Sequence, residues 1–156
     1  MTNSMKLEFL SVSENEQFAR TAVASFISSL NPTLDELDDV KTAVSEAVTN
    51  AIVHAYPGVV GMVHIHCVAE AHLVKIIVSD KGRGISDISL ARTPLYTSSE
   101  SDERSGLGFT VMETFMDSVS VTSEWGEGTI VTMTKHIGNS VPAKADASEN
   151  ILSVCL

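Results

Sequence analysis

Basic residues are scarce in this chain: Lys and Arg total 10 against 20 Asp and Glu, a formal charge of -10 over 156 residues. Such a surface repels the phosphate backbone of nucleic acids, and no basic stripe offsets it, so no direct nucleic-acid partner is expected. A nucleotide is not excluded, because a divalent cation and oriented backbone N–H groups supply positive charge locally. Cysteine is nearly absent: Cys67 and Cys155 lie far apart and form no CxxC pair. Neither a zinc ribbon nor a disulfide framework is suggested, which fits a reducing cytoplasm. No apolar run approaches the roughly 18 residues of a membrane span, and MTNSMKLEF lacks the regions of a signal peptide, so a soluble cytoplasmic protein without a membrane partner is expected. Also missing are a Walker loop, since no GKS or GKT follows any glycine string, and the GxSxG elbow of hydrolases. No internal repeat is present, and the length suits one domain with a single core.

What is there reads as an ordered series of elements. MKLEFLSV forms a strand, and Ser13 with Glu16 makes a capping-box pattern for a helix to about Leu30, along which Phe18, Ala22, Phe26 and Leu30 recur every four residues. Asn31-Pro32 breaks the chain, and Thr33 with Glu36 forms a second capping box for a long helix. Val40, Ala43, Val44, Ala47, Val48, Ala51 and Ala55 fall on one arc of that helix, which must be buried. Met62 to Glu70 and Leu73 to Asp80 alternate as a hairpin, and Ser118 to Trp125 and Thr129 to His136 as a second one. Between them lie a short helical turn after Asp87, a polar stretch ending SSESDERS that is a candidate lid, and a helix over Leu107 to Met116. The fold class predicted is α+β, a two-layer sandwich with a mixed, mostly antiparallel sheet and helices on one face. Residues 1–137 form the domain, and 138–156 a tail assigned no fold.

Three strings carry the chemistry. In EAVTNAIVH, Glu46, Asn50 and His54 stand four residues apart, and a drift of about 40° per step keeps them on one helical stripe. That stripe is either a solvated helix face or a general base and a metal ligand held at the edge of a core. His54, where the stripe meets the apolar arc, reads as a packed, hydrogen-bonded histidine. DKGRG follows a strand end: Asp80 can accept a hydrogen bond from the exocyclic amine of adenine, and Gly82 and Gly84 allow close approach of a flat ring. Alone, such a string is an ordinary turn. SGLG, Ser105 to Gly108, opens a helix whose N–H groups and dipole meet an anion, with Arg104 before it as partner for a γ-phosphate; alone it is a glycine-rich helix start. His64 and His66 share a strand face, but no third ligand is evident and no metal site is assigned to them.

With these elements in this order, the chain resembles the ATPase and kinase superfamily shared by DNA gyrase, a heat-shock chaperone, sensor histidine kinases and the mismatch-repair protein MutL. EAVTNAIVH matches its N box, DKGRG and SGLG its glycine boxes and Gly128-Thr129 its closing element, over roughly residues 5 to 137. A single small domain of this type resembles the anti-sigma factor serine kinases. SENEQFAR, NPTLDEL, EAVTNAIVHAY and ERSGLGFTVMETFMD are similar to the sporulation members, with the stress-response anti-sigma B type as the nearest rival. AYPGVVG is shorter than the family usually shows.

The resemblance implies an ATP-dependent protein serine kinase using ATP/ADP and Mg²⁺. Such a protein binds and inhibits a sigma factor in its ATP state, phosphorylates a serine of an anti-anti-sigma protein, and forms a homodimer. The alternative is a nucleotide-gated binding module with little kinase activity. The resemblance makes Glu46 the general base and Asn50 the Mg²⁺ ligand. Asp80 reads adenine, with Gly82, Gly84 and Thr129 lining its pocket. Ser105, Gly106, Leu107 and Gly108 wrap the phosphates, and Arg104 reaches the γ-phosphate or the protein substrate. Arg20 and Glu103 correspond to partner contacts.

Overall fold

The computed structural model describes residues 1–93 and 108–138. Strand β1 (Thr2–Leu10) is followed by helix α1 (Glu14–Ile27), which tightens into a 3₁₀ turn at Ser28–Leu30, and by helix α2 (Leu34–Asn50), which continues as a π turn over Ala51–Ala55. Then come β2 (Met62–Glu70), β3 (Leu73–Asp80), the short α3 (Ile88–Ala91), α4 (Gly108–Phe115), β4 (Ser118–Glu124) and β5 (Gly128–His136). The strands lie in the order β1-β2-β3-β5-β4. Every described pair is antiparallel, where a mixed sheet was expected. The reason lies in the connections. Two helices separate β1 from β2, so the chain goes back and forth over the sheet before returning, and the second strand runs against the first.

Alternation on the strands sends Val63, Ile65, Cys67, Val74, Ile76, Val78, Val131 and Met133 to one face, where they are buried against the helices. The whole predicted arc of α2, Val40 to Ala55, is buried with them. The opposite sheet face carries Lys6, Glu8, His64, His66 and Lys75, all exposed or half-buried. Glu8 and His64 oppose each other in register, with their side chains 3.3 Å apart. Cys67 sits in the core, and burial pushes its thiol up to about 12, which leaves it inert. No described helix is long and apolar enough to cross a membrane.

The two capping boxes have different outcomes. At α2 the Thr33 hydroxyl accepts the Glu36 N–H at 3.1 Å and the Glu36 carboxylate accepts the Thr33 N–H at 2.8 Å. At α1 the box does not form: Ser13 has helical φ and ψ of -60° and -29° and makes no cap bond. Glu16 turns instead to α2, accepting the Ser45 hydroxyl at 2.5 Å, and lies 3.7 Å from Arg20. Of the residues recurring every four along α1 and its 3₁₀ turn, Phe26 and Leu30 pack half-buried against the core. Ala19, Val23 and Ile27 are buried, whereas Phe18 is 55% exposed.

Candidate functional site

Glu46 and Asn50 lie on the last two turns of α2, both half-buried. The second glycine string comes back onto them. A side-chain carbon at Gly108, the first residue of α4, would sit 3.1 Å from Nδ2 of Asn50 and 3.2 Å from Oε2 of Glu46. A side chain there would press on this carboxylate and amide, which would have to give by a few tenths of an ångström. Two polar groups separated by about 6 Å of helical rise thus face the N-terminal end of another helix, where N–H groups favour an anion. The third member, His54, falls in the π turn that continues the helix over Ala51–Ala55. That turn winds more widely than an α-helix, and His54 is half-buried in it.

Asp80 ends β3 and is buried. Its Oδ1 accepts the Gly82 N–H at 2.9 Å, and the Thr129 N–H of the neighbouring strand supplies a second bond. Burial pushes its carboxyl above the ordinary value, and these two bonds offset the rise only in part. The loop that follows is held from both sides. From the helix side, the Ala55 carbonyl accepts the Arg83 N–H at 2.8 Å, and a side-chain carbon at Gly82 would lie 2.1 Å from that same oxygen. The Tyr56 hydroxyl accepts the Lys81 N–H at 2.9 Å. From the sheet side, the Arg83 carbonyl accepts the Gly126 N–H at 2.6 Å, and the Ser123 hydroxyl accepts the Ile85 N–H at 2.8 Å. Gly84 has φ +78°, and a Cβ there would stand 2.1 Å from the Glu124 carbonyl, so no other residue fits. At this hairpin tip Trp125 is 66% exposed.

The structure therefore brings Glu46, Asn50 and Gly108 together, and separately Asp80, Gly82, Gly84 and Thr129, the last paired with Asp80 in register. The end of α2 touches the second group through Ala55, so one helix connects the two. Arg20 projects from α1 beside Glu16, which accepts the hydroxyl of Ser45, the residue preceding Glu46. Glu103, Arg104, Ser105, Gly106 and Leu107 lie outside the described residues, as do nearly all of the candidate lid and residues 139–156. Ser123, Tyr56 and the Ala55 carbonyl were not singled out from sequence, since each reaches the loop from 25 or more residues away. Among the described residues no group of three or more His, Cys, Asp or Glu could hold a metal.

Residues 12–135 match the family described as the histidine kinase-like ATPase domain. The chain is 58% identical over 133 residues to an anti-sigma F factor of Clostridium kluyveri, covering 85% of this chain and 94% of the relative. It is 52% identical over 141 residues to the anti-sigma F factor of Bacillus subtilis, covering 90% and 97%. Among solved structures, the RsbU and RsbW domains of a Mycobacterium tuberculosis protein superpose with a TM-score of 0.63 at 16% identity, covering 86% of this chain and 32% of that one. The histidine kinase domain of a blue-light activated kinase from Erythrobacter litoralis gives 0.51 at 20% identity, covering 76% and 59%. These last two show a shared fold.

Proposed function

Because the chain belongs to the histidine kinase-like ATPase family, among the anti-sigma F factors, we propose that it is an ATP-dependent protein serine kinase and sigma-factor antagonist. In its ATP state it binds and inhibits a sporulation sigma factor, and it phosphorylates a serine of the anti-anti-sigma protein that releases that factor. Residues 1–137 act as the kinase domain and 138–156 as an appended tail, and the active form is a homodimer.

The observation that carries this reading is the approach of Gly108 to Glu46 and Asn50. Phosphoryl transfer asks a protein mainly for positioning and charge neutralisation. Asp80 accepts the exocyclic amine of adenine, with Gly82, Gly84 and Thr129 around the ring. Ser105, Gly106, Leu107 and Gly108 offer N–H groups to the phosphates, and Arg104 meets the γ-phosphate. Asn50 fits a Mg²⁺ site: its amide carries a hard oxygen and faces the start of α4, and Mg²⁺ takes few protein ligands and completes its shell with phosphate and water. Bound there, Mg²⁺ neutralises phosphate charge. Glu46 takes the proton of the substrate serine as its oxygen attacks the γ-phosphorus; the bond to the bridging β-γ oxygen breaks and ADP departs with that electron pair. Arg20 and Glu103 contact the protein partner.

Incubation with labelled ATP, Mg²⁺ and a candidate anti-anti-sigma protein tests the kinase reading: labelled phosphoserine on that protein is expected, and its absence at any enzyme concentration overturns it. The switch is tested by sigma-factor binding with ATP and with ADP. A nucleotide shifts partner choice only by its differential affinity for the two states, so a tenfold preference for the ATP form corresponds to about 1.4 kcal/mol of coupling. Equal affinities remove the switch and leave the kinase standing.

A further inference from the structure

The hydroxyl of Tyr56 joins two stretches of backbone that the strand pairing alone does not fasten. It donates to the Met62 carbonyl at 2.6 Å and accepts the Lys81 N–H at 2.9 Å. A phenol has one proton to give and lone pairs to receive, so both bonds form at once. Met62 opens β2, and Lys81 is the residue by which the chain leaves Asp80. The ring is held as well. A side-chain carbon at Gly61 would lie 2.3 Å from its Cε1, so the ring rests against bare backbone. Tyr56 directly follows the π turn, whose last residue, Ala55, takes the N–H of Arg83. Two consecutive residues at one helix end therefore hold positions 81 and 83, on either side of Gly82.

We propose that Tyr56 is a positioning residue for the nucleotide: its hydroxyl fixes the N–H of Lys81 and so sets the path of the loop from Asp80 to Gly84, without itself touching the ligand. The inference rests on the reading of that loop as the adenine pocket. Asp80 can meet the exocyclic amine only if its carboxylate keeps its orientation, and its own bond to the Gly82 N–H depends on where Lys81 places the next residue. Glu46 and Asn50, farther back on α2, do not depend on that path.

Tyr56→Phe keeps the ring and removes the hydroxyl. Affinity for ATP and for ADP should fall by the same factor, about 5- to 10-fold, the range of one hydrogen bond. In phosphotransfer assays the KM for ATP should rise by that factor while kcat at saturating ATP changes by less than about twofold. Gly61→Ala keeps the hydroxyl but displaces the ring, and should give the same split. Melting of the nucleotide-free variants is followed in parallel. A lowered melting temperature with KM unchanged in both variants would reduce Tyr56 to packing and overturn the inference. So would a loss confined to kcat. If the wild-type protein binds no ATP in calorimetry, the adenine pocket itself fails and the inference falls with it. Wild-type binding with an unchanged KM in both variants overturns the inference alone.

Discussion

The two ends of the α2 segment serve the site by opposite means. Along Glu46 to Asn50 the backbone is occupied by its own helical bonds, so the segment can present only side chains. At Ala55 the winding stops, the carbonyl has no successor within the helix, and the backbone itself becomes a partner for Arg83. Glu46 and Asn50, the groups proposed to act chemically, stand where a regular helix fixes their geometry. The loop proposed to recognise a flat ring is fastened where a helix runs out of internal partners. Substitutions should therefore separate cleanly at the first end and act indirectly at the second.

The sharpest separation concerns Glu46. Glu46→Gln should reduce phosphotransfer by about 10²- to 10⁴-fold, the contribution of a positioned base, with ATP affinity in calorimetry little changed. A variant as fast as wild type would remove the chemical role of this end and favour a binding module. Asn50→Ala should weaken Mg²⁺-dependent ATP binding about a hundredfold, close to 2.7 kcal/mol. Equal affinities with and without Mg²⁺ would sink the metal assignment.

At the loop, Asp80→Asn should lower discrimination of ATP over GTP by about tenfold in competition binding, near 1.4 kcal/mol. The fold should not suffer for it. Because burial raises the Asp80 carboxyl above its unfolded value, this group adds stability below the unfolded value and loses it as the pH rises through the folded one. At neutral pH the ionised form is a cost that the amide relieves. A large drop in the melting temperature of Asp80→Asn at pH 7 would contradict this.

The smallest effect belongs to a control at the far end of β5. Burial would raise Asp117, but hydrogen bonds from the His136 N–H and ring, the latter at 2.9 Å, outweigh it, and the nearby Lys135 charge adds to them, so its carboxyl lies below the ordinary value. This stabilisation is present above the unfolded value and lost as the pH falls through the folded one. For so exposed a group it amounts to less than about 1 kcal/mol. Asp117→Asn should flatten the acid limb of a melting-temperature profile and leave ATP binding untouched. A nucleotide effect here would blur the division between the site and the rest of the sheet.

Both hairpins were legible in the sequence because alternation is a local signal: β2 and β3 occupy the predicted residues, and Asp80 ends its strand as expected. The buried arc of α2 was legible for the same reason. The pattern of a capping box was less informative. Thr33 and Glu36 close one, whereas Glu16 is drawn across to Ser45, a partner 29 residues away that no local pattern reveals. The four-residue recurrence on α1 was partly informative: Phe26 and Leu30 pack against the core, whereas Phe18 lies outside it, beside the fully buried Ala19. Around the candidate site, the residues at fixed spacing stood out in the sequence and the groups that hold the loop did not. Ser123, Tyr56 and Ala55 act through long-range bonds to backbone, which leave little trace in residue type.

Trp125 is the one tryptophan of the chain. It stands 66% exposed in the turn whose Gly126 N–H grips Arg83. Indole emission responds to the polarity and mobility of its surroundings, so the molecule carries an optical gauge next to the loop proposed to meet the base. With no second indole to mask it, titration of unlabelled protein should show whether that turn moves when the pocket fills, and stopped-flow mixing should show how fast.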